Sequence, residues 1–153
     1  MSASKGISKY LDERLVVFLD EVSRETVIGR LVDLLHKEGR LQDKEKFLFS
    51  ILERERIVST GIGIGVAIPH AKISGNAGFF VAIGIQKKGG IDWNALDGSL
   101  VHLVFMIGGP DNKQTEYLKI LSNLTQSIKD EQRRKMLLKC NTAKEVIDLF
   151  TGC

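Results

Sequence analysis

A chain of 153 residues with 43% apolar residues, a mean hydropathy near zero and a formal charge of +3 has the make-up of one globular domain rather than of a fibrous or disordered chain. The basic residues are dispersed except for Arg133, Arg134, Lys135 and Lys139, which Asp130 and Glu131 partly offset, so this cluster reads as a solvated helix face and nucleic acid is not expected as a partner. No secretory signal opens the chain, its longest apolar runs are too short to span a bilayer, and Cys140 and Cys153 give neither a disulfide framework nor a zinc spacing; a cytoplasmic protein with no direct membrane insertion is expected.

Residues 1–9 read as a polar N-terminal segment ahead of a single domain at 10–153. Arg14 to Leu19 is a β-rich run. Ser23 then caps a helical pattern of Val27, Leu31, Leu34 and Leu35 that Gly39 ends, with His36 in its last turn facing the C-terminal carbonyls. A second helix opens at Asp43 and runs to about Arg56, burying Phe47, Leu48, Ile51 and Leu52 and leaving a charged end, Glu53 to Arg56. Three apolar runs, 66–68, 79–85 and 101–107, read as central strands between glycine-containing loops. Beyond Gly108-Gly109-Pro110 the spacing of Tyr117, Leu118, Leu121 and Leu124 predicts a helix. Further helices are expected at Met136 to Leu138 and after a capping box of Thr142 with Glu145. The order β-α-α-β-β-β-α-α-α predicts an α/β domain with helices covering a mixed sheet.

The most informative segment is 59–72, where a loop with glycines at 61, 63 and 65 precedes a short apolar strand ending at Pro69-His70. Glycines lack the Cβ atoms that keep an anion from backbone amides, and Ser59 and Thr60 add hydroxyl donors, so Ser59, Thr60, Gly61, Gly63 and Gly65 are candidate phosphate-binding residues. Pro69 biases Ile68 to an extended conformation and gives the imidazole of His70 one exit direction. Neutral imidazole is a nucleophile at physiological pH, and phosphoryl transfer asks little more than in-line approach and donors around three charged oxygens. His70 is therefore a candidate phosphoryl acceptor; the competing reading is a glycine-rich hairpin followed by a half-buried core histidine. Arg54 is placed to fold back as a clamp, or else is a surface charge. His102, within a strand run, reads as a sheet residue that one sheet could bring near His70. No His, Cys and carboxylate trio has metal spacing, and no Gly-Lys-Ser/Thr follows the loop.

Taken together, Leu52-Glu53-Arg54-Glu55, Ser59-Thr60-Gly61-Ile62-Gly63 and Val66-Ala67-Ile68-Pro69-His70-Ala71 closely resemble the active-site signature of the enzyme IIA domains of the bacterial phosphoenolpyruvate:sugar phosphotransferase system, in the fructose/mannitol and nitrogen-regulatory group. Ala95-Leu96-Asp97-Gly98, Val101 to Phe105, Gly109-Pro110 and Glu116 to Leu121 extend the likeness, which covers roughly residues 10–152. The resemblance implies a three-layer α/β/α domain and a tele-phosphohistidine at His70, formed from a small histidine-phosphorylated (HPr-like) carrier. It also implies that Arg54 helps hold the phosphate; no cofactor is expected. Tyr117 stands where the family commonly has a second active-site histidine, and Ile64 where a polar residue is frequent, so phosphate acceptance is expected to survive with an altered rate or onward transfer.

The absence of a IIB or carrier domain before the end at Cys153 points to the nitrogen-regulatory type, whose phosphorylation state controls partner proteins. Negative charge beside an apolar rim of Ile62, Ile64 and Ile68 would penalise a partner that buries it. A IIA component passing phosphate to a separate IIB subunit of a sugar permease is the second expectation. A regulatory binding module that has lost phosphotransfer is the third.

Overall fold

The computed structural model describes residues 6–153, so residues 1–5 of the polar N-terminal segment lie outside the described residues. The remainder of that segment is docked on the domain: Gly6–Tyr10 form a 3-10 turn whose Ile7 is fully buried. The elements that follow are β1 (Val16–Leu19), α1 (Arg24–Lys37), α2 (Lys44–Ile57), β2 (Gly61–Gly63), β3 (Val66–Ala67), β4 (His70–Ile73), β5 (Phe80–Gln86), β6 (Leu103–Pro110), α3 (Gln114–Ile128), α4 (Glu131–Leu137) and α5 (Ala143–Asp148).

Helices begin where side-chain acceptors meet the orphan amides of a first turn. Ser23 accepts from the Thr26 amide, Asp43 from Lys46, and Thr142 with Glu145 completes the expected capping box. The sheet has six strands in the order β1-β5-β6-β3-β2, with β4 pairing farther along β6. It is mixed: β1 runs parallel to β5, β5 antiparallel to β6, and both β3 and β4 parallel to β6.

Alternation along β5 and β6 separates two cores, as the period of a strand requires. Phe80, Ala82, Val104 and Met106 face α1 and α2. Val81, Ile83, Ile85, Leu103, Phe105 and Ile107 face the layer that holds Ile7, α3, α4 and α5. This is the expected three-layer α/β/α arrangement.

Two additions and two corrections to the expected elements bear on the site. Residues 61–67 form a hairpin, and His70 opens a new strand instead of ending the one before it, because Pro69 has no N–H to continue the ladder. The last strand does not stop at Ile107 but runs through Gly108 and Gly109. A Cβ at Gly108 would meet Phe47 and Phe80 ring carbons at 2.5 Å, so glycine there lets the strand pass between two aromatic rings. On α2 the buried stripe is Phe47, Ile51 and Glu55, while Leu52 is exposed. Among the described residues no helix is long and apolar enough to cross a membrane.

Candidate phosphoryl-transfer site

His70 opposes Ile107 in the β4–β6 register. Ala71 and Ile73 belong to the core under α1 and α2, so strand alternation turns His70 and Lys72 to the other face, toward Tyr117 of α3. The ring is half-buried, and its Nδ1 lies 2.7 Å from the Ile68 carbonyl oxygen. A carbonyl only accepts, so Nδ1 carries the proton and donates, and the lone pair resides on Nε2. Burial depresses the pKa of His70, the bond to Ile68 opposes that shift, and the positive charge of Arg54 and the negative charge of Glu55 act in opposite directions. The neutral, nucleophilic ring is the favoured form.

The sign of this shift sets a pH dependence. A histidine whose folded value lies below its unfolded value of about 6.5 contributes its stabilisation fully above that pH and loses it as the pH falls through the folded value. Proton NMR titration is expected to place the His70 midpoint below 6.5, with the His70 contribution to stability lost as the pH falls through that midpoint; a midpoint above 6.5 would contradict the burial.

Three side chains complete the surroundings. Arg54, half-buried in the last turn of α2, donates from Nη1 to the Val58 carbonyl at 2.9 Å, and its charge reaches both His70 and Tyr117. Tyr117 is 5% exposed, its ring centroid 6.2 Å from that of His70 and 6.1 Å from that of Phe79, and burial pushes its phenol pKa well up. Lys72 carries its ammonium 5.1 Å from the centre of the Tyr117 ring and donates to Gln114 Oε1. His70, Arg54 and Tyr117 are thus brought together, and Lys72, which the sequence did not single out, joins them.

The glycine loop is different from the expected open cradle. The Ser59 hydroxyl donates to the Trp93 carbonyl at 2.7 Å and accepts from the Gly61 amide at 3.0 Å. The Thr60 amide donates to Glu55 at 3.0 Å, and the Thr60 hydroxyl is bonded to the same carboxylate. At the hairpin tip the Ile64 amide donates to Asp97 at 3.1 Å, and bonds from the Ser99 hydroxyl and amide help hold that carboxylate down at about 2. The donors of Ser59, Thr60 and Gly61 therefore already have protein acceptors.

The glycines have another reason. A Cβ on Gly61 would sit 3.0 Å from the Ala95 Cβ, and one on Gly63 2.9 Å from Asp97 Oδ2, so both allow the 95–97 loop to lie directly on the hairpin. Gly65, at φ 79°, turns the hairpin, and its carbonyl accepts from the His102 and Leu103 amides. His102 itself is spoken for by the Gln86 carbonyl, 2.8 Å from Nδ1. It precedes Ile107, the residue opposite His70, by five positions, on the order of 16 Å along the strand, so the sheet does not unite the two histidines. Ile68, expected on the rim, is buried; Ile62 and Ile64 remain exposed.

Sequence reasoning missed the buried Glu55. Its signal is present, since Phe47, Ile51 and Glu55 continue one i, i+4 series, but the charged run 53–56 around it reads as a solvent-facing helix end.

This geometry coincides with a family match. The family described as "Phosphoenolpyruvate-dependent sugar phosphotransferase system, EIIA 2" matches residues 9–152, and the chain belongs to it. It is 38% identical over 132 residues to the PTS system fructose-specific EIIABC component of Bacillus subtilis, a match that takes in 86% of this chain but only 21% of that longer protein. It is 36% identical over 128 residues to the PTS system fructose-specific EIIA component of Haloferax volcanii, covering 84% and 82% of the two chains. The crystal structure of the nitrogen regulatory protein IIA-Ntr from Neisseria meningitidis superposes with a TM-score of 0.87 at 28% identity, over 95% of this chain and 99% of that one.

Proposed function

We propose that this protein is a cytoplasmic phosphoryl carrier in which His70 Nε2 takes the phosphoryl group from a histidine-phosphorylated (HPr-like) donor. The observation that carries the proposal is the Nδ1–H bond to the Ile68 carbonyl, which leaves Nε2 as the lone-pair nitrogen. In the transfer, a bond forms between Nε2 and phosphorus as the donor's N–P bond breaks, and the electron pair of that bond returns to the donor's imidazole. The three phosphoryl oxygens stay charged throughout, so the site supplies positive potential instead of a proton. Arg54 provides it as a clamp from α2, with the ammonium of Lys72 over the Tyr117 ring adding to the field.

Two recipients are compatible with this site. The likeness to IIA-Ntr supports a regulator whose partners distinguish the phosphorylated from the unphosphorylated form; the exposed Ile62 and Ile64 offer apolar surface that added charge would make harder to bury. The fructose-specific relatives support onward transfer to a sugar IIB subunit instead.

One experiment separates these readings. The protein is incubated with labelled phosphoenolpyruvate and the general phosphotransferase proteins, and a fructose-type IIB is then added. Acid-labile label on this chain that stays when IIB is added, together with pull-downs whose partners differ between the two forms, is the expected result. Rapid loss of label to IIB makes the chain a transport component. No label at all makes it a binding module and overturns the carrier proposal.

A further inference from the structure

Glu55 is the carboxylate that α2 turns inward, 5% exposed, at a position where the stripe of Phe47 and Ile51 would accept an apolar side chain. Burying a carboxylate costs several kcal/mol unless donors surround it, and a well-packed apolar replacement is often at least as stable. Here the donors are in place. The Thr60 amide donates to Oε1 at 3.0 Å and the Thr60 hydroxyl to Oε2, while the Trp93 indole N–H lies 3.1 Å from Oε1. Arg24, in the first turn of α1, brings its Nη1 to 3.8 Å from Oε1.

The arrangement leads directly to the proposed acceptor. Thr60, gripped by Glu55 at its amide and its hydroxyl, receives the Ile68 amide on its carbonyl at 3.0 Å. Ile68 in turn presents its own carbonyl to His70 Nδ1 at 2.7 Å. Between them Pro69 has its φ fixed by the ring and its carbonyl held by the Ile107 amide at 3.0 Å, so the peptide that aims the Ile68 oxygen is constrained on both sides. We propose that Glu55 is a positioning residue for His70, acting through Thr60 and Ile68 to hold the Nδ1–H tautomer and the heading of the ring. The inference rests on the reading of His70 as phosphoryl acceptor, and it explains why a charged residue occupies a core position. A proton on Nε2 would block the nucleophile, so any slack in the chain from Glu55 to Ile68 converts part of the population into an inactive tautomer.

The test uses the full chain labelled with 15N-histidine, at a pH where the ring is neutral. Long-range proton–nitrogen correlation reads which nitrogen of His70 is protonated, independently of any phosphotransfer. In the unaltered protein Nδ1 is expected to be protonated. Thr60→Val, close in shape but without the hydroxyl, and Glu55→Gln, without the charge, are expected to give mixed tautomers and an initial phosphorylation rate lower by roughly fivefold. Thr60→Ser restores the hydroxyl and is expected to recover both readouts. If Glu55→Gln fails to fold, the Thr60 pair decides the matter alone. A folded Thr60→Val protein with the normal tautomer, whatever its rate, overturns the proposal, as does a mixed tautomer with an unchanged rate. Failure of the His70 reading shows separately, as unaltered protein that takes up no phosphate while its tautomer is fixed.

Discussion

His70→Ala is expected to take up no phosphate from the phosphorylated carrier, where the unaltered protein gains one acid-labile group. The substitution removes the proposed nucleophile while touching little of the fold, because the side chain is half-buried and, among the described residues, its hydrogen bond goes to the Ile68 carbonyl. Truncating the ring leaves that carbonyl without its donor, a loss on the order of 1 kcal/mol, so the melting temperature should fall by only a few degrees. Intact-mass measurement under non-acidic conditions reads the outcome directly. His102 is the alternative acceptor in the chain, but its Nδ1 is held by Gln86 and it lies well down the neighbouring strand. Retention of a full phosphate gain in His70→Ala would therefore overturn the assignment and move it to His102.

Arg54→Ala is expected to slow phosphorylation by more than tenfold, the equivalent of about 1.4 kcal/mol or more of lost transition-state stabilisation. The side chain also has a structural task, since Nη1 caps the end of α2 through the Val58 carbonyl. That bond is at an exposed helix end, where replacement by water costs little. Rate and stability should separate: a large fall in rate with a melting temperature lower by no more than about two degrees. Arg54→Lys keeps the charge but not the planar fork, and an intermediate rate is expected from it. Stopped-flow transfer alongside thermal melts distinguishes this from a residue that merely caps the helix, for which the rate would be unchanged.

The helices were legible because their signals are local. Ser23, Asp43 and the Thr142–Glu145 box mark starts that the backbone obeys, since each supplies an acceptor for amides that no preceding turn can satisfy. The hairpin strand β2 was not, because three residues, two of them glycine, carry no alternation to read, whereas β3 falls within the apolar run 66–68. In the sequence Gly108 and Gly109 read as punctuation, whereas rings from residues distant in sequence require glycine inside the strand there. At the site, His70 and Arg54 were visible as residue types with chemistry. The occupied donors of Ser59 and Thr60 were not, because their partners, Trp93 and Glu55, meet them only through tertiary contacts. Ile64 was visible as an oddity and has a physical counterpart in its φ of 54°, a region that a β-branched side chain rarely enters.

The partner of His70 Nδ1 also bears on what happens after phosphate arrives. When phosphorus bonds to Nε2 while Nδ1 keeps its proton, the ring becomes cationic, and any counter-charge against Nδ1 would stabilise the loaded state. Here the acceptor is the neutral Ile68 carbonyl. The nearby carboxylate of Glu55 is instead turned to Thr60 and Trp93, with Arg24 beside it. The ring is oriented without being neutralised, so a phosphoryl group carried on Nε2, as proposed, would keep a high group-transfer potential and could leave as readily as it is accepted.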